Sequence, residues 1–158
     1  WLLRFPGENE SVHLQTIADI PKGWSDDALI QKWNRVRTIR RVVTGALEIA
    51  RRDKVIGSSL EAAPTVFVAE SDDAALLASV PLAEIAITSA AHVSTHPAPA
   101  DAFRLPDVSG VAVAFHHAQG NKCARCWMIL PDVGPNPRHE DLCDRCSAAI
   151  DAMGGLAA

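Results

Sequence analysis

Gly120-Asn121-Lys122-Cys123-Ala124-Arg125-Cys126-Trp127 and, further on, Leu142-Cys143-Asp144-Arg145-Cys146 hold all four cysteines of this 158-residue chain. A CxxC knuckle bends two sulfurs toward one point. Two knuckles separated by residues 127–142 make the ligand set of a tetrahedral zinc ion, with Zn–S bonds of about 2.3 Å. Cys123, Cys126, Cys143 and Cys146 would close the coordination shell and leave no position for a reactive water, so one structural Zn(2+) per chain is expected. Two disulfides or an iron–sulfur cluster also use four cysteines. The paired spacing, in a chain without a secretion signal, favours zinc over both. His139 lies near enough to ligate but finds no vacancy.

The segment between the knuckles is too short for a core of its own. Metal must supply most of its folding free energy, on the order of 10 kcal/mol or more for small zinc modules. Lys122, Arg125 and Arg145 flank the knuckles; they either offset the double negative charge of the site or meet phosphate. Trp127, directly after a ligand, is either a cover for the knuckle or a stacking platform for an unpaired base.

Working outward, the composition is that of a globular chain, 48% apolar and 22% charged, with no apolar run long enough for a membrane span. The start, Trp1-Leu2-Leu3-Arg4, lacks an initiator Met and suggests a fragment whose partners include parts of its own parent. The net charge of −4 argues against a uniformly basic nucleic-acid binder. Its distribution is uneven, however. Lys32, Arg35, Arg37, Arg40, Arg41, Arg51, Arg52 and Lys54 face only Glu48 and Asp53 within residues 32–54, as a localised anionic partner would require.

That basic stretch is also periodic. Leu29, Trp33, Val36, Val43, Leu47 and Ala50 recur at helical spacings, predicting an amphipathic helix that ends near Gly57 and is about 45 Å long. Ser25 is its expected N-cap, Asp26 and Asp27 suit the positive terminus, and Trp24 can staple onto Leu29. At 100° per residue, Arg37, Arg40, Arg41, Arg51 and Arg52 share one flank of the stripe. They form either a phosphate-tracking surface or a solvated face.

Before the helix, residues 1–24 read as an arm with a short extended piece, Ser11-Val12-His13-Leu14. After it, Gly57-Ser58-Ser59 turns the chain. Thr65–Val68 reads as a strand, Ser71 as the cap of a short helix through Leu77, and Ile85–Thr88 as a second strand. Thr95–Pro106 reads as a proline-rich loop and Val111–Phe115 as a third strand. The fold class is α+β: a long amphipathic helix, a small three-stranded α/β unit and a C-terminal four-cysteine zinc finger. His116, His117, Ser58 and Ser59 assemble into no catalytic constellation, and no glycine-rich phosphate loop is present, so no catalytic residue is assigned.

The run Leu47-Glu48-Ile49-Ala50-Arg51-Arg52-Asp53-Lys54-Val55-Ile56-Gly57-Ser58-Ser59-Leu60-Glu61-Ala62 resembles the end of the anticodon-binding helical bundle of bacterial isoleucyl-tRNA synthetases. Ser11–Leu14 resembles the segment before that helix, and the two cysteine knuckles are similar to the same family's C-terminal zinc finger. Formamidopyrimidine-DNA glycosylases carry a finger of similar spacing, but the basic helix and Gly-Ser-Ser-Leu-Glu-Ala point to the synthetases. The resemblance implies three parts: residues 1–62 as arm and last bundle helix, 63–118 as a small junction domain, and 119–158 as the finger. It further implies a cytoplasmic, non-catalytic tail of an ATP-dependent isoleucine–tRNA ligase, without the HIGH- and KMSKS-type motifs or the editing motifs. Its partners would be tRNA(Ile) and the rest of the parent. Arg37, Arg41 and Arg52 are then the first candidates for phosphate contact. A DNA-binding module of glycosylase type and a purely structural brace are the competing expectations.

Overall fold

The computed structural model describes Leu3, Arg4, His13 and residues 19–154. The chain forms two compact units, Trp1–Gln31 and Lys32–Ala158. The expected extended piece at residues 11–14 lies, His13 apart, outside the described residues. Among these residues no helix is long and apolar enough to cross a membrane.

In the first unit a 3-10 turn, Lys22–Trp24, leads into the start of helix α1, Asp27–Arg52. The cap is Asp26 and not Ser25: the Leu29 N–H donates to Asp26 Oδ1 at 2.9 Å. The Ser25 N–H instead closes the preceding turn on the Lys22 carbonyl. A carboxylate three residues before the N–H it accepts satisfies an orphan donor and faces the positive helix end. Trp24 and Leu29 are 77% and 50% exposed, so no staple shields them.

In the second unit α1 buries Val36, Ile39, Val42, Val43, Ala46, Leu47 and Ala50. The helix has 26 residues, hence a length of about 39 Å. It stops at Arg52 and not near Gly57 because Lys54 adopts a left-handed conformation, φ 57°. The Val55 N–H then turns back to the Ala50 carbonyl at 2.8 Å, and Ile56 drops into the core at 3% exposure. Gly45 in mid-helix has a packing reason: a Cβ there would meet the Phe103 ring at 2.6 Å.

Strand β1, Thr65–Val68, is central in a three-stranded sheet. It pairs in parallel with β2, His92–Ser94, and antiparallel with β3, Val111–Ala114, setting Val66 opposite both Val93 and Val113. Val66, Val68, Val111 and Val113 belong to one core with the buried face of α1. Between β1 and β2 lie helices α2, Ser71–Ala78, and α3, Leu82–Ala86. The N-cap position of α2 is Glu70, with Ser71 already inside the helix. Asp73, 6% exposed, receives both Nε and Nη2 of Arg35, which pins α2 to α1.

The strand expected at Ile85–Thr88 is not formed. Pro81 precedes the first turn of α3, and Leu82 and Ala86 are both buried, four residues apart on one face. Ile87 caps that helix in the left-handed region and is exposed. Burial at helical spacing has overridden β propensity over these few residues. The second strand lies at β2 instead, so the three-stranded, α+β expectation holds with a different member. The proline-rich span from Thr95 contains no strand.

Lys54→Gly should remove the cost of holding a side chain at positive φ. It should raise stability by roughly 0.5–1 kcal/mol and the melting temperature by about 1–4 °C, read by calorimetry.

Candidate metal centre

Beyond the sheet, β4, Asn121–Lys122, and β5, Ile129–Leu130, pair as a short antiparallel hairpin whose loop is the first knuckle. The Cys123 N–H donates to the Met128 carbonyl and the Trp127 N–H to the Cys123 carbonyl, both at 2.9 Å. Two backbone positions make this turn possible. Gly120 has φ 116°, and a Cβ there would lie 2.2 Å from the Leu130 carbonyl oxygen. Trp127 accepts φ 66° despite its side chain. The second knuckle opens helix α4, Asp144–Gly154, with the Ser147 N–H returning to the Cys143 carbonyl. A helix N-terminus favours thiolates placed against it.

The four sulfurs lie within 4.8 Å of one another, and Cys126 Sγ is 3.8 Å from Cys143 Sγ. A tetrahedron with bonds of about 2.3 Å has edges of about 3.8 Å, so the arrangement fits one zinc ion with little rearrangement. Cys123, Cys143 and Cys146 are fully buried and pack with Val133 and Leu142. The electrostatics point the same way. Burial alone would raise the Cys123 thiol, but backbone N–H groups of Cys126, Cys143 and Arg125 outweigh it and bring it to about 6. Burial and the neighbouring sulfurs push Cys143 up to about 12. Four sulfurs so close cannot all ionise without a cation among them, and a dication supplies that charge. When bound, zinc supplies a cross-link; the closed thiolate shell offers it no substrate position.

Local bonds hold the loop between the knuckles. Asn121 Nδ2 donates to the Val133 carbonyl, and Asp132 Oδ2 accepts the Asp144 N–H. Arg138 and His139 both reach Asp151 on α4. Sequence reasoning missed Ser89. Its hydroxyl donates to the Leu60 carbonyl and accepts the Ile129 N–H at 2.8 Å, so one buried side chain ties β5 to the segment after α1. The Ala118 N–H on the Glu61 carbonyl adds a second tie. A serine among small residues carries no sequence signal for such a role.

The candidate nucleic-acid residues divide. Arg40 Nε is spent on the Ile85 carbonyl at 2.7 Å, and Arg51 on Glu48 and Ser59. Arg37 leans on Asn34, Arg41 on Asp107 at 2.8 Å, and Arg52 on Asp53 at 3.0 Å, all exposed. Arg125 Nη1 lies 3.6 Å from Cys146 Sγ, and Arg145 Nη2 lies 3.7 Å from Met128 Sδ. Trp127 is 64% exposed, with Lys122 Nζ 5.8 Å from its ring centre. His116 and His117 are exposed at the end of β3 and join no catalytic group; His117 makes an edge contact with Phe115.

Zinc should bind at one ion per chain, and chelation should melt residues 120–148 while the α1–sheet core persists, as read by elemental analysis and amide exchange. Gly120→Ala should loosen the finger by about 2 kcal/mol or more, seen as weaker zinc retention against a competing chelator.

Residues 120–149 match the zinc finger found in FPG and IleRS. An isoleucine–tRNA ligase of Ruegeria pomeroyi is 54% identical over 150 residues, 95% of this chain and 15% of its own length. Those of Agrobacterium fabrum and Brucella abortus are 50% and 47% identical over 99% of the chain and 16% of theirs. The chain thus spans about one sixth of the length of these relatives. Nearly end-to-end identity at this level, with the finger in place, shows that the chain belongs to the isoleucine–tRNA ligase family as a finger-bearing segment of it.

Proposed function

We propose that this chain is the tRNA-recognition tail of an isoleucine–tRNA ligase, on the side of the anticodon stem and loop, and that it is not itself catalytic. The supporting observation is the identity to such ligases over 95–99% of the chain. In this reading residues 1–62 are arm and bundle helix, 63–118 a junction domain and 119–158 the finger. Activation of isoleucine with ATP lies in residues outside this chain, the protein works in the cytoplasm, and tRNA(Ile) and the rest of the ligase are its partners.

The surface chemistry is compatible with that reading. Arg37, Arg41 and Arg52 present guanidinium groups held only by exposed neighbours, and contacts so open to water hold a side chain weakly and give way readily to phosphate. On the finger, the exposed Trp127 ring with Lys122 beside it, and Arg125 and Arg145 on the same module, offers a stacking face and cations, the combination that holds an unpaired base and its phosphate.

Deleting residues 119–158 from the full ligase should leave isoleucine-dependent pyrophosphate exchange nearly intact. tRNA-dependent kcat/KM should fall about a hundredfold, since each 1.4 kcal/mol of lost interaction is about tenfold. Equal collapse of both reactions would make the segment a brace, and no change in either would refute the reading. Reversing Arg37, Arg41 and Arg52 to Glu should weaken tRNA binding and lower the log–log salt slope by about two or three units. Preference for duplex DNA over tRNA in the same salt series would favour a glycosylase-type module.

A further inference from the structure

The four ligand sulfurs are not equally protected. Cys123, Cys143 and Cys146 have no exposed surface, whereas Cys126 is only half-buried. The cause lies in the knuckle itself. Trp127 follows Cys126 at φ 66°, and its ring stands out in solvent. The buried three pack with Val133 and Leu142, with Cys126 at the margin of that cluster. Cys143 Sγ lies 3.8 Å across the centre from Cys126 Sγ.

We propose that Cys126 is a modification site, the sulfur at which peroxide and other soft electrophiles attack the thiolate centre, with Cys143 as its resolving partner. Reactivity of a thiolate follows access as much as charge, and of the four ligand cysteines only Cys126 is not fully buried. In the first step the Cys126 thiolate attacks one oxygen of hydrogen peroxide. An S–O bond forms, the O–O bond breaks, and the departing hydroxide takes a proton and leaves as water. Cys126 is now a sulfenic acid. In the second step the Cys143 thiolate attacks Cys126 Sγ, forming the disulfide. The S–O bond breaks and a second hydroxide leaves as water after taking a proton. Two thiolates have together given up two electrons, and one peroxide has become two waters. Two thiolates remain, too few to retain the metal. The segment 127–142 then loses its cross-link while the sheet and α1 keep their core.

The test uses the zinc-loaded full chain. Limiting hydrogen peroxide is added, released zinc is followed with a colorimetric chelator, and the oxidised residues are mapped by peptide mass spectrometry. In parallel, limiting iodoacetamide reports which sulfur is alkylated first. The expected result is first alkylation at Cys126, a Cys126–Cys143 disulfide as the main product, and one zinc released per disulfide. Cys126→His keeps four ligands without the exposed sulfur and should release zinc at least about tenfold more slowly under peroxide. The proposal is overturned if alkylation begins at Cys123, Cys143 or Cys146, if another pair forms the main disulfide, or if Cys126→His loses zinc to peroxide at the unmodified rate. Should that variant fail to load zinc, the order of labelling and the disulfide map in the unsubstituted chain decide the matter alone.

Discussion

Three short strands cannot stand alone in water, and the buried face of α1 makes this sheet possible. Ile39, Val42, Val43, Ala46, Leu47 and Ala50 form one apolar surface that shares a single core with Val66, Val68, Val111 and Val113. Each large side chain so buried contributes about 1.5–3 kcal/mol relative to exposure, which outweighs any local propensity in the sheet. The Arg35–Asp73 pair adds a fixed point rather than net stability. A buried carboxylate needs its partner, so the pair sets the position of α2 on α1 once packing has brought them together.

The metal centre depends on this body through few bonds. The segment after α1 runs along Ala62 and Ala63, bridging to His116 and His117, before it enters β1. Ser89 then links Leu60 to Ile129 in the finger's hairpin. Gly57-Ser58-Ser59-Leu60-Glu61-Ala62, which looks like a mere turn, is therefore the strip on which two parts of the chain meet. Its own bonds keep it rigid: Ser58 caps Leu60, and Glu61 accepts the Gly57 N–H. Zinc and sheet thus have separate sources of stability, thiolate ligation in one and apolar burial in the other.

How much was legible in the sequence follows from the same division. The cysteines were legible because ligand spacing is a local constraint that little else imitates. The core stripe of α1 was legible because helical period persists over several turns. Helix ends were less so: Asp26 against Ser25 is a choice between adjacent residues decided by one hydrogen bond, and Lys54 turns the chain three residues before Gly57 by taking the left-handed conformation itself. Ile85–Thr88 misled because three β-branched residues, Ile85, Ile87 and Thr88, sit at and just past the end of a five-residue helix, and so short a segment carries no period. Ser89 was invisible, since its role depends on two chain segments far from it in sequence.

The arginines of α1 show how position on a helix decides which charges remain at the surface. At 100° per residue, Arg35 falls within the span of the buried stripe, between Val42 and Ala46, and it is the one drawn to a buried carboxylate. Arg40 and Arg51 stand about 20° and 40° from Leu47, at the margin where the body of the protein rises beside the helix. Both are committed to groups within the chain. Arg37, Arg41 and Arg52 lie about 80–140° from Leu47, away from the core, and hold only exposed neighbours. A basic count along the sequence treats all six alike. The packed helix separates them into one that orders the core, two that hold its margin and three whose charge is left at the surface.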